Sequence, residues 1–119
     1  MIYKLMAYST FVAEKIKTSG AILSRIGEVI IISLRTTHDL TIEQVQEITE
    51  ARDDLAKDKP FVTLVYLKAG LLLGKDTREH IANSNNANWK AEAILCEEES
   101  EIMLADFYIK VNKPKTPTK

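Results

Sequence analysis

The stretch of this chain nearest to a chemical motif is AGLLLGKDT, residues 69–77. A phosphate-binding P-loop sets a small residue, four spacers and Gly-Lys before a Ser or Thr whose hydroxyl reaches magnesium. Ala69, Gly74 and Lys75 satisfy that spacing, but Asp76 stands where the hydroxyl is needed. Its charge would lie beside the phosphates, and Leu71, Leu72 and Leu73 leave little glycine for backbone amides to curl round an anion. No later strand ends in a Walker B aspartate, since the candidate ends Ile94-Leu-Cys-Glu97. Nucleotide hydrolysis is not expected. Asp76 is expected to cap a helix instead.

The remaining reactive side chains do not assemble by spacing. His38 falls in a loop, His80 in a helix-forming stretch and Cys96 at a strand end. Asp76 and His80 are four apart but supply only two donors, fewer than a metal site needs. Cys96 reads as a small apolar residue. No catalytic residue, metal ligand or cofactor is expected. Lys75, Thr77 and Arg78 gather at a helix start after a buried strand, where backbone amides could hold a small anion. Asp76 would compete with that anion, and a solvated helix face is the plain alternative. Leu71, Leu72 and Leu73 either fold back onto the core or present an apolar surface to a protein partner or a lipid-like ligand. Asn83 to Asn88 would rim such a surface, with Trp89 as its anchor or, equally, as a core residue. The glutamates from Glu97 to Glu101 read as a solvated helix start.

Composition narrows the classes further. The chain has 119 residues, 45% hydrophobic and 28% charged, enough for one domain with its own core. A net charge of −1 gives no bulk attraction to nucleic acid or anionic membrane. Lys110, Lys113, Lys115 and Lys119 make a basic tail too small to alter that. A lone cysteine rules out an internal disulfide and suits the cytoplasm. No apolar run approaches the ~20 residues of a membrane span, and the N-terminus lacks a signal-peptide core.

The positioning elements follow from periodicity. Residues 21–26 and 29–34 are β-branched-rich strands joined by a turn at Gly27, the second apolar enough to be buried on both faces. A weaker strand precedes them around residues 10–16; residues 1–8 fit strand or helix. Thr41-Ile-Glu-Gln44 is a capping box that opens a helix to about Lys57, with Val45, Ile48, Arg52 and Leu55 on one face. Pro60 stops it. Residues 61–67 form a buried strand, and Asp76 to Glu79 reads as a second capping box. Residues 90–96 form another strand, and residues 100–111 an amphipathic helix ending in lysines. Strands joined by helices are expected to be parallel. The fold class is α/β, a mixed sheet with an N-terminal hairpin and helices packed on it.

Two stretches carry a likeness. Gly20 to Leu67 runs hairpin, Ile-Glu helix, Pro-Phe strand, and ILCEEESEIMLADFYIKVNKPKTPTK runs strand, helix, then a Phe-Tyr-Ile-Lys-x-Asn-Lys-Pro ending. Together they resemble the uncharacterised bacterial STAS/SEC14-like family, whose fold is that of anti-sigma-factor antagonists. In that family a last strand and helix follow the proline-rich segment. This sequence stops before them, which would leave part of the sheet uncovered and favour self-association at an exposed edge. The antagonists carry a phosphorylatable serine in the loop matching residues 69–77. Here the nearest hydroxyl is Thr77, so the motif for a phosphorylation switch is missing. The resemblance implies a non-catalytic domain that binds a protein partner or a second copy of itself. The alternative is a carrier of an apolar small molecule or lipid, by analogy with SEC14-like domains.

Overall fold

Alternation of large apolar residues across a two-residue turn fixes the start of the sheet. Strand β2 (Ala21–Ile26) pairs antiparallel with β3 (Val29–Leu34), in register from Ala21 opposite Leu34 to Ile26 opposite Val29. Gly27 closes the turn at φ +61°, a backbone region that costs glycine little. The computed structural model describes residues 14–35, 39–68, 71 and 73–119. The open reading of residues 1–8, and the positions of His38 and Leu72, lie outside the described residues. Of the weak early strand expected around residues 10–16, residues 10–13 lie outside the described residues; β1 (Lys15–Lys17) pairs antiparallel with β2. Strands β4 (Phe61–Tyr66) and β5 (Trp89–Leu95) add in parallel, giving the order β1-β2-β3-β4-β5. The result is an α/β fold with a five-stranded mixed sheet.

Among the described residues, three helices cover one face of this sheet. Helix α1 (Ile42–Ala56) opens on the expected box: Thr41 Oγ1 accepts from the Gln44 amide at 3.1 Å, and Gln44 Oε1 accepts from the Thr41 amide at 3.0 Å. Its face of Val45, Ile48, Arg52 and Leu55 is buried. At its C-terminus Lys57 and Asp58 turn left-handed, and Arg25 from β2 donates to the Leu55 carbonyl at 2.6 Å. A charged side chain thus satisfies a carbonyl that the helix leaves open. Leu23 and Ile30, both wholly buried, lie under α1 at the centre of the core. Burying such a side chain contributes roughly 1.5–3 kcal/mol.

Helix α2 (Lys75–Asn83) follows β4, and α3 (Glu99–Phe107) follows β5 and runs into a π-helical turn, Tyr108–Asn112. Two corrections to the sequence reading belong here. Helix α2 starts earlier than Asp76: Gly74 is its N-cap and makes no side-chain cap, so the Asp76–Glu79 box does not form. Asp76 sits in the first turn, where its charge still suits the helix dipole. At α3 the glutamate cluster is not wholly solvated, because Glu101 is buried and accepts from the Glu97 and Glu98 amides at 2.7 and 2.9 Å.

Among the described residues, helices cover strand β3 on one side. Ile30 and Ile32 are buried, while Val29, Ile31 and Ser33 on the outer face are half-buried. Ile22, Ile26, Tyr66 and Leu95 are exposed. The C-terminal segment, read from the sequence as a basic tail, joins the far edge of β5. The Glu92 amide donates to the Pro117 carbonyl at 2.8 Å, Ile94 donates to Lys119 at 2.8 Å, and Lys119 returns a bond to Glu92 at 2.9 Å. Both main-chain groups of Glu92 are therefore held by the tail. At about 0.5–1.5 kcal/mol for each lost bond, removal of residues 116–119 is expected to lower stability by about 2–4 kcal/mol. Urea unfolding of the shortened chain checks this, and an unchanged midpoint would show that the edge pairing contributes nothing.

Candidate ligand cavity

The sheet and the three helices do not close completely on each other. Between them lies a cavity of about 110 Å³, walled mainly by Ile32, Val45, Ile48, Val65, Leu73 and Ile94. Leu104, Ala105 and Tyr108 from the α3 segment close one side. Thr49 and Ser84 border both this cavity and the polar groove between α1 and α2, so the cavity comes nearest to solvent there.

A charged residue type reaches this interior because of a local irregularity. The β4–β5 ladder pairs Phe61 with Trp89 and then Val62 with Ala91, so Lys90 is an extra residue on β5. Such a bulge reverses the alternation beyond it. Glu92 therefore pairs with Thr63 on the covered face, although strict alternation from Trp89 would turn it outward. Thr63 Oγ1 donates to Glu92 Oε1 at 2.9 Å and accepts from Trp89 Nε1 at 2.9 Å. Both hydrogen-bonding roles of that hydroxyl are thereby engaged.

Arg52 completes the polar wall. Its guanidinium lies 4.4 Å from the Trp89 ring centroid and 5.6 Å from that of Phe61, a cation–π arrangement. Its Nε and Nη2 contact Asp53 Oδ1 at 3.1 and 3.0 Å. Tyr108 is 4% exposed, and its hydroxyl has no hydrogen-bond partner among the described residues. Burial, and then the charge of Glu92, push the Tyr108 phenol well above its ordinary value, so it stays neutral. Burial also raises Glu92 from 4.5 to about 7, with the Thr63 hydrogen bond and the Arg52 charge opposing the rise. Glu92 as a residue is half-buried, but its carboxyl group is the part that points inward.

The residues singled out by sequence divide between this cavity and the framework. Leu71 is in the core and Leu73 packs against it while lining the cavity, so both take the inward alternative. Trp89 is a core residue that also faces the cavity. Thr77 is buried, its hydroxyl donating to the Leu40 carbonyl at 3.1 Å, and so it is not open to a partner. Arg78 donates to the Leu73 carbonyl at 2.6 Å and to Asn112 Oδ1 at 3.2 Å, and lies 4.9 Å from the Phe107 centroid. It ties the loop to the π-helical turn. Lys75 is exposed and pairs loosely with Glu79 at 3.9 Å. Thr77 and Arg78 are thus committed within the fold, whereas Lys75 stays exposed at the start of α2.

Among the described residues no three His, Cys, Asp or Glu side chains are placed to hold a metal ion. Burial first, then Glu101 and Asp106, hold the Cys96 thiol above its usual value, away from thiolate chemistry. Among the described residues no helix is long and apolar enough to cross a membrane. The sequence reading passed over Glu92, Thr63 and Tyr108. Their available signal was a lone acid and a lone hydroxyl inside otherwise apolar strands.

Residues 23–119 match the model of a domain of unknown function (DUF7793), and the chain belongs to that family. The matched span contains every residue of the cavity. No curated protein and no solved structure matches the chain.

The Glu92 environment predicts an unusual pH dependence. The folded chain holds this proton more tightly than the unfolded chain does, so its stabilising contribution is complete below pH 4.5. It is lost as pH rises from 4.5 to about 7 and is constant above. The loss is on the order of 3 kcal/mol. Glu92→Gln, which cannot ionise, is expected to be more stable than the parent at pH 8 by about that amount, with the gap closing at pH 4.5. Urea midpoints of both chains across this range measure it; parallel curves would contradict it.

Proposed function

We propose that this domain binds a small, predominantly apolar molecule in the cavity between sheet and helices, and that it acts by binding and not by catalysis. One observation carries the reading: a cavity with mainly aliphatic walls is also lined by Glu92, whose carboxyl has Thr63 as its one hydrogen-bond partner among the described residues. Buried polar groups are almost always fully hydrogen-bonded, so an acid with a single partner in an apolar wall is a place where a ligand completes the set. At about 110 Å³ the cavity is about three quarters of an engineered ~150 Å³ cavity that holds benzene, so its walls must yield slightly to admit a ring. The reading also takes up the SEC14-like side of the resemblance, in which apolar molecules are carried. We assign the domain to the cytoplasm, in keeping with its single cysteine.

Native mass spectrometry of the protein purified from its source is expected to show an adduct that is lost on denaturation. Toluene is expected to raise the thermal midpoint by a few degrees at concentrations above its dissociation constant. Ala105→Leu, which fills the cavity from α3, is expected to abolish that response while the chain still unfolds cooperatively. Absence of both an adduct and a toluene response would overturn the proposal.

A second reading, recognition of a protein partner or another copy, is favoured by the outer face of α3 and the turn that follows. Ile102, Met103, Phe107 and Val111 stand 49%, 66%, 47% and 57% exposed there. Contiguous exposed apolar patches mark interaction surfaces. If this one meets a second copy, light scattering after size exclusion will show a dimer that Met103→Glu converts to monomer. A monomeric parent would remove self-association from this reading.

A further inference from the structure

The polar side chains that line the cavity gather at its mouth. Thr49 and Arg52 lie one turn apart on α1 and so share its inward side. Ser84, just past the end of α2, borders the same opening as Thr49. The Arg52 guanidinium stacks on Trp89, whose N–H donates to Thr63, which in turn donates to Glu92. The groups still open at this end are mostly donors. Arg52 is 5% exposed; its Nε and Nη2 both contact one oxygen of Asp53, and Nη1 has no partner among the described residues. The Tyr108 hydroxyl is the one sealed side-chain polar atom without a partner among them. Nη1 therefore opens on space, and the space that Arg52 lines is this cavity. The Thr49 and Ser84 hydroxyls are likewise open and without partners among the described residues. Thr63 is used in both directions, and Glu92 accepts from it at Oε1.

We infer that the ligand is a small carboxylic acid with a branched or aromatic body, bound as its carboxylate with the head group on Arg52 and the body among the aliphatic walls. This rests on the cavity-binding reading above and names its ligand class. A carboxylate brings acceptors alone, and the two Nη1 protons and two hydroxyls at the mouth are what acceptors need. A hydrogen bond between charged partners is roughly twice as strong as a neutral one, and burial of Arg52 limits its screening by salt. Asp53, the present counter-ion, is 44% exposed and meets only Nε and Nη2. Glu92 does not repel the head group while it holds its proton, which burial favours up to about pH 7. Glu50, Asp76 and Glu79 in the outer groove are exposed, so salt screens their effect on an approaching anion. An ammonium head would lie against the Arg52 cation. An alcohol or an amide would forgo the ionic bond.

Isovalerate, isovaleramide and isopentylammonium share one branched body and differ in the head group, and calorimetry on the full chain at pH 6 compares them. Isovalerate is expected to bind about tenfold more tightly than isovaleramide, the difference between a charge-assisted and a neutral hydrogen bond. Isopentylammonium is expected to bind more weakly than either. Arg52→Met keeps a long side chain against Trp89 and removes the charge. It is expected to lower isovalerate affinity by about tenfold or more while leaving toluene affinity within about twofold, a split that a merely structural arginine would not give. Equal binding of isovalerate and isovaleramide would overturn this inference, and toluene binding would leave the cavity-binding reading standing. So would tighter binding of isopentylammonium than isovalerate, or undiminished isovalerate affinity in Arg52→Met. Where Arg52→Met does not fold, the order of the three probes on the parent chain decides. Failure of toluene and all three probes to bind would overturn both readings.

Discussion

Opposite the junction of Phe61 and Val62, strand β5 carries Lys90 as an extra residue, and the contents of the interior depend on that insertion. Without it Trp89 and Ala91 would share the covered face, and Glu92 would point to the outer side. With it, Trp89 and Glu92 both face the helices, three residues apart, with Thr63 hydrogen-bonded to each. The insertion would be easy to relax if β5 were a free edge. It is not free, because the C-terminal segment takes both main-chain groups of Glu92 from the other side. The buried carboxyl is thus held in register by β4 on one side and by residues 117–119 on the other.

This explains what could and could not be read from the sequence. The β2–β3 hairpin, the Thr41–Gln44 capping box and the apolar face of α1 depend on contacts within a few residues, and they stand as the spacing predicts. The parallel placing of β4 and β5 follows from their helical connections. The bulge has no such local signature. One residue inserted between two parallel strands leaves the string Trp-Lys-Ala-Glu-Ala-Ile-Leu looking like plain alternation, and parity then assigns Glu92 to the wrong face. The tail was illegible for a related reason, since a Pro- and Lys-rich ending reads as solvated until a free sheet edge is beside it. The second capping box failed differently: Asp76 and Glu79 have the right spacing, but the helix begins at Lys75 with Gly74 as cap.

The loop that looks most like a functional motif turns out to be a joint. Leu71 enters the core, Thr77 ties α2 to the Leu40 carbonyl, and Arg78 joins the loop to Asn112 and Phe107. Thr77 and Arg78 are occupied in holding α2 and the C-terminal helix over the sheet, while Lys75 stays exposed. Leu73 shows what the loop does contribute, since it is one wall of the cavity. Sequence motifs mark where polar groups are concentrated. Whether those groups are available depends on partners contributed from elsewhere in the chain, here from residues 40, 107 and 112.

Availability also bears on whether the cavity is a packing defect. A defect left by imperfect packing between aliphatic side chains would be dry and lined by carbon, and filling it would stabilise the chain at no other cost. This cavity contains a carboxyl that burial holds toward its neutral form and a phenol without a partner, each lowering stability relative to an apolar residue of similar shape. A leucine at position 92 or a phenylalanine at position 108 would satisfy the packing and remove the penalty. Two unfavourable polar choices, on different elements and both on residues that line this cavity, set it apart from a gap between aliphatic side chains.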